Sequence, residues 1–182
     1  MTRHTLDAGD RQRLLDLARR ALEARVRGLA PPQAVPGGAL DAPLGAFVTL
    51  HARGELRGCL GRLDPTEALP VTVAHLAAAV ADSDPRFPPV RAVELPEIAI
   101  EISVLTPAHA VSSVDEIDIG RHGLIVEDGA RRGLLLPQVA SEHGWSPLEF
   151  VEHACVKAGL PRDAWRHAAT LSVFEAEVFA DG

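Results

Sequence analysis

One cysteine of this chain sits where a thiol could react. The run Leu56-Arg57-Gly58-Cys59-Leu60-Gly61 places Cys59 close to an arginine and between two glycines. The thiolate is the nucleophile, and positive charge near the sulfur favours it. Glycines at 58 and 61 leave backbone open for a ligand to approach. On this pattern Cys59 is a candidate nucleophile, and Arg57 is an anion anchor and thiolate stabiliser. Gly58 and Gly61 then form part of a substrate cradle. The same pattern also fits a small buried apolar cysteine whose glycines only permit tight packing. Arginine favours the ionised sulfur and apolar burial opposes it, and residue types alone do not choose between them.

A nucleophilic cysteine needs a base. The chain has eight histidines, and spacing does not single one out. His122, before Gly123 in a loop at a strand start, is the candidate, because loops at element ends often carry active groups. His75 lies off the apolar stripe of its helix and is expected to be solvated. Asp84-Pro85-Arg86-Phe87-Pro88-Pro89 is a stiff, non-helical segment with one charge of each sign. Its prolines lower the entropy cost of holding Asp84 and Arg86 in place. Those two residues are therefore candidates for substrate binding, while covering an apolar edge with Phe87 is the plainer use of the segment. No metal is expected, since the chain lacks His-x-His, HExxH and CxxC. No cofactor is expected either, with neither G-x-G-x-x-G nor a P-loop present. Cys155 reads as core, and Glu149 and His153 as a surface pair one helical turn apart.

These residues have to be positioned by the elements around them. Residues 7 to 27 predict a helix, with Leu15, Ala18, Leu22 and Val26 at helical spacing and Gly28 ending it. Residues 30 to 43, rich in Pro, Gly and Ala, read as a linker. Residues 45 to 52 and 55 to 60 predict two strands of a hairpin joined at Arg53-Gly54. In a regular hairpin Leu50 opposes Arg57, Val48 opposes Cys59, and His51 faces away from the sulfur. Asp64-Pro65-Thr66-Glu67 predicts a helix start with Asp64 as cap, whose free N–H groups would face the cysteine loop. That helix buries Leu69, Val73, Leu76 and Val80. Alternation from Ile98 to Val104 predicts a strand with one buried face. Short strands follow at 123–127 and 133–136. Ser146-Pro147-Leu148-Glu149 caps a helix that ends at Gly159, with Leu160 packing back on it. Residues 171 to 179 predict a last strand. Helices interspersed with hairpins indicate α+β with a mostly antiparallel sheet and flanking helices.

The 182 residues, 47% hydrophobic with a formal charge of −7, suit a soluble globular protein. Two distant cysteines make no disulfide framework, and no basic, apolar leader opens the chain. No stretch reaches the roughly 20 apolar residues of a membrane span. Cytoplasmic residence with reduced thiols is the expectation. The acidic balance argues against nucleic acid as a partner, and Arg131-Arg132 is the one small basic patch noted.

The chain resembles the AMMECR domain family. The matching pieces are the Leu56–Gly61 run (the family usually has Ile where this chain has Leu60), Asp84-Pro85-Arg86-Phe87-Pro88, His122-Gly123-Leu124, and Arg131-Arg132-Gly133-Leu134-Leu135-Leu136-Pro137-Gln138-Val139. The similarity runs from about residue 10 to 180. It implies one AMMECR-type domain over residues 1–182. It also implies an α+β fold of a larger and a smaller lobe with a cleft between them, the small lobe being expected around residues 30–70. In prokaryotes the family resembles a companion of Memo-like and radical-SAM proteins, which implies a shared pathway and possible partners of those kinds. Two functions follow as expectations. One is a cysteine-dependent enzyme acting on a small anionic substrate. The other is a non-enzymatic module that binds a protein or peptide and regulates.

Overall fold

The computed structural model describes residues 6–182. The chain divides into two compact units, residues 1–105 with 177–182 and residues 106–176. Five of its strand pairings are antiparallel. With several flanking helices, this makes the protein α+β.

The first unit opens with α1 (Ala8–Arg27). Asp7 caps it by accepting from Asp10 N–H at 2.7 Å, and Gly28 closes it at φ 66°, a left-handed conformation that glycine adopts without strain. Two strands follow, β1 (Ala46–Ala52) and β2 (Glu55–Arg62). Arg53 and Gly54 join them at φ 55° and 81°, as a two-residue turn with both centres at positive φ requires. Next come α2 (Leu69–Ala79) and β3 (Ile98–Leu105). Strand order here is β2-β1-β3, so β2 is an edge. Leu14 and Leu22 of α1 and Val73 of α2 join Val48, Leu50, Ile100 and Ile102 in one core. Each such side chain contributes about 1.5–3 kcal/mol when fully buried. The opposite face of these strands, with Thr49, His51, Ala99 and Glu101, is half-buried.

Two expectations fail in this unit. The helix after the cysteine loop does not start at Asp64. Its N-cap is Ala68, without a side-chain cap, and Pro70 stands in its first turn. Proline suits a first turn at either site, but the apolar stripe that docks begins only at Leu69. The hairpin register also differs from the regular one. Ala52 pairs with Glu55 and His51 with Leu56, but Leu50 then pairs with Gly58, and Arg57 is left as an extra residue. This is a β-bulge. Val48 and Leu50 are fully buried, so a regular register would aim Arg57 into the aliphatic core. The bulge moves Gly58 and Leu60 to that face instead. Gly58 fits closely there, since a Cβ would lie 3.1 Å from Val80 Cγ2 at the end of α2, tighter than an ordinary contact.

The second unit holds β4 (His109–Val111), β5 (His122–Asp128), β6 (Arg131–Leu135), α3 (Pro137–His143), α4 (Pro147–Lys157) and most of β7 (Thr170–Ala180). Neither β4 nor α3 is expected from the sequence. Both are short, and their periodicity is too brief to read. Ser146 and Glu149 form the expected capping box of α4. Leu160 N–H donates to the Cys155 carbonyl and Gly159 N–H to that of Val156, closing the helix as a Schellman motif. Phe150, Val151, Ala154 and Cys155 pack with Leu124, Val126 and Val173 into this unit's core.

Candidate functional site

The bulge decides what surrounds Cys59. The residue opposite it on β1 is Thr49, not Val48, and Thr49 in turn pairs with Glu101 of β3. Side chains alternate along a strand, so Cys59, Thr49 and Glu101 form one row on the half-buried face. His51, two residues along β1 from Thr49, lies on the same face, contrary to the expectation that it turns away from the sulfur. The Thr49 hydroxyl donates to Cys59 Sγ at 3.3 Å. Phe47 and Gly61 make the next pair along, and a Cβ on Gly61 would lie 2.3 Å from the Phe47 ring. The space that a ligand was expected to use over Gly61 is therefore filled by an aromatic ring, and that over Gly58 by Val80.

Asp84 is the other half of the site. It is 4% exposed and follows α2 on the stiff segment ahead of β3. Its Oδ2 accepts from the Cys59 main-chain N–H at 2.9 Å. Its Oδ1 accepts from Arg86 N–H at 3.1 Å, a turn closed by the aspartate's own side chain. The Arg86 guanidinium adds a two-pronged bond, Nε to Oδ1 at 3.0 Å and Nη2 to Oδ2 at 2.7 Å. Arg86 and the Cys59 amide hold the Asp84 carboxyl far below the usual carboxylate range. Asp84 in turn raises the Arg86 guanidinium, and Cys59 adds to the rise. One carboxylate thus fixes the backbone at Cys59 and a guanidinium within electrostatic reach of its sulfur.

Arg57 is occupied elsewhere. Its Nε and Nη2 donate to the two carboxylate oxygens of Glu94 at 3.0 and 3.3 Å, and Nη2 also reaches the Pro89 carbonyl. Glu94 is held below its ordinary range by Arg57 first and by Arg91 N–H second. Arg57 therefore ties the bulge to the segment after α2, and Arg86 is the guanidinium tied to Cys59, through the shared Asp84 carboxylate.

His122 belongs to the second unit, at the start of β5. Its Nδ1 accepts from Asp118 N–H at 3.0 Å, and its ring meets that of His109 edge-on at 6.5 Å. In the neutral ring this leaves the hydrogen on Nε2, a donor and not a base. Gly123 beside it is packed under Phe174, repeating the Gly61–Phe47 arrangement. His75 is exposed and bonds Glu67 through Nδ1 at 3.0 Å. Cys155 is fully buried, and burial pushes its thiol up. His153 stacks on Trp145 at 3.9 Å, while Glu149 is engaged in the cap of α4. Among the described residues no three His, Cys, Asp or Glu side chains gather as a metal site, and no helix is long and apolar enough to cross a membrane.

Thr49, His51 and Glu101 were missed from the sequence because a bulge leaves no mark on residue type. The Asp-Pro-Arg run signals a turn closed by the aspartate's own carboxylate. It carries no sign of the Cys59 amide 25 residues away.

The AMMECR1 family model matches residues 15–179. A protein of Thermofilum pendens is 44% identical, with 97% of this chain and 92% of that protein covered. A Methanopyrus kandleri protein is also 44% identical, over 97% of this chain and 90% of its own. The crystal structure of an uncharacterized protein from Pyrococcus horikoshii superposes with a TM-score of 0.81 at 40% identity, covering 92% of this chain and 89% of that one.

Proposed function

The chain belongs to the AMMECR1 family, and on that premise we propose that it is a cysteine-dependent enzyme for a small anionic electrophile. One observation carries the reading: Asp84 holds both the Cys59 amide and the Arg86 guanidinium beside a half-exposed thiol. Cys59 is the nucleophile. Arg86, 55% exposed at its side chain, pairs with the anionic group of the substrate. Thr49 donates to the sulfur and steadies its charge. The thiol proton passes to His51 or Glu101 on the same face; sulfur bonds to a carbonyl carbon next to the anionic group as the carbon–oxygen π bond opens onto oxygen, and that oxygen takes the proton, leaving a thiohemiacetal. The setting is the reducing cytoplasm, in a pathway with Memo-like and radical-SAM companions, as the family resemblance implies.

The test compares metabolites in a strain lacking the protein with those in a Cys59→Ser strain. Both should accumulate the same anionic compound, and an Arg86→Gln strain should accumulate it in part. A Cys59→Ser strain that matches wild type would overturn the proposal. A second reading, a peptide-binding module, draws on β2 being an edge strand that carries Leu56, 42% exposed. That reading expects the Cys59→Ser strain to behave as wild type while charge reversal at Arg86 does not.

A further inference from the structure

Two groups on the Cys59 face are bases, and register separates their roles. Thr49 pairs with Cys59 on one side and with Glu101 on the other, and His51 stands two residues along β1 from Thr49. His51 is thus a diagonal neighbour of Cys59, about 7–8 Å away between Cα atoms. Glu101 is a strand farther off, at about 10 Å. The nearer imidazole takes the thiol proton, and Glu101 is left without a part in the addition.

Glu101 is still an unusual group for its place. The strand order puts β3 between β1 and β7, so this carboxylate stands on an interior strand. It is half-buried, and among the described residues no cation or hydrogen-bond donor meets it. By contrast the half-buried Glu94 pairs with Arg57, Glu177 with Arg11 and Asp181 with Arg19. Drawing a charge partly out of water without a partner costs free energy, and a cation on a ligand removes that cost.

Position along the row says which part of a ligand carries that cation. β2 is the edge strand, and the Cys59 N–H points off it to Asp84. Arg86, gripped by the same carboxylate, stands on the outer side of Cys59, and Glu101 stands two strands inward. Across the face the order is guanidinium, thiol, hydroxyl, carboxylate. Arg86 keeps donors beyond the Nε and Nη2 bonds to Asp84.

We infer that the substrate of this site is an α-keto acid with a cationic tail. Its carboxylate pairs with Arg86, its keto carbon meets Cys59 Sγ, and its tail crosses β1 over Thr49 to end at Glu101. The inference rests on the Cys59 reading and fixes the far end of its substrate. On addition the S–H bond breaks and sulfur bonds to the keto carbon. The carbon–oxygen π pair moves onto oxygen, which takes the proton by way of His51. The tail cation stays intact and only anchors.

The test uses the α-keto acid of ε-trimethyllysine and its analogue with a tert-butyl group in place of trimethylammonium. The two share one shape and differ in charge, and neither tail can close on the ketone. α-Ketoadipate supplies an anionic tail. Each acid is titrated for protection of Cys59 from iodoacetamide, read by residue in a mass spectrometer. The trimethylammonium acid should protect about fivefold more tightly than the tert-butyl acid, and α-ketoadipate more weakly than either. In Glu101→Gln the gap between the first two should close. Equal protection by those two in wild type, or a gap that survives Glu101→Gln, would overturn the inference and leave the Cys59 reading standing. Protection by none of the acids would sink both. The wild-type comparison needs no variant, so it decides even if Glu101→Gln fails to fold.

Discussion

Thr49→Val removes the hydroxyl that donates to Cys59 Sγ and keeps nearly the same side-chain shape, so it isolates one interaction. The bond is 3.3 Å long and part-buried. A net hydrogen bond of this kind is worth about 0.5–1.5 kcal/mol. Converted to a rate, an interaction of that size makes alkylation of Thr49→Val slower by about 2- to 13-fold. The assay is the second-order rate of iodoacetamide addition, resolved by residue in a mass spectrometer. Cys155, 0% exposed, is the unreactive internal reference. Thr49→Ser retains a hydroxyl and should restore the rate. Alkylation of Thr49→Val at the wild-type rate, or of Thr49→Ser as slowly as Thr49→Val, would refute the view that the register delivers this hydroxyl to the sulfur.

Acid should act on the Asp84 clamp in a definite direction. The folded carboxyl lies below its ordinary value of 3.8, so its contribution is complete above that value and is lost as pH falls toward the folded one. The melting-temperature gap between wild type and Asp84→Asn should be widest at neutral pH and should shrink below about pH 4; a gap that stays constant down to about pH 3 would contradict the clamp. Packing makes an independent claim at Gly133 of β6. A Cβ there would lie 2.6 Å from the Ala154 carbonyl oxygen and 2.6 Å from the Ala158 nitrogen, both backbone atoms at the end of α4. Gly133→Ala should cost about 1–3 kcal/mol in chemical denaturation, and a cost under about 0.5 kcal/mol would show that α4 yields freely.

What lay within a few residues could be read from the chain. The caps of α1 and α4, the two-residue turn at Arg53-Gly54 and the Schellman close at Gly159-Leu160 each depend on neighbours in sequence. The buried stripes of α2 and β3 depend only on periodicity. So the α+β class was accessible from the sequence, and Cys59, Asp84 and Arg86 could be picked out there as candidates. The partners of those residues were not. Arg57 reads as the companion of Cys59 because it stands two residues away. In the folded chain Glu94 takes it, because Val48 and Leu50 need the core face and the bulge moves Arg57 off the ladder. Asp64 reads as a helix cap because its local pattern is good, but the helix begins where Leu69 can dock.

The sequence alone determined which groups this protein has for chemistry and which local elements carry them, since capping, turns and periodicity act over a few residues. Only the tertiary structure decided that Thr49 faces the sulfur and that Asp84 grips the amide of Cys59. It also decided that Arg86 is the guanidinium within reach. Strand register and side-chain bonds across 25 or more residues are set by what the whole core will bury, and no short segment encodes that.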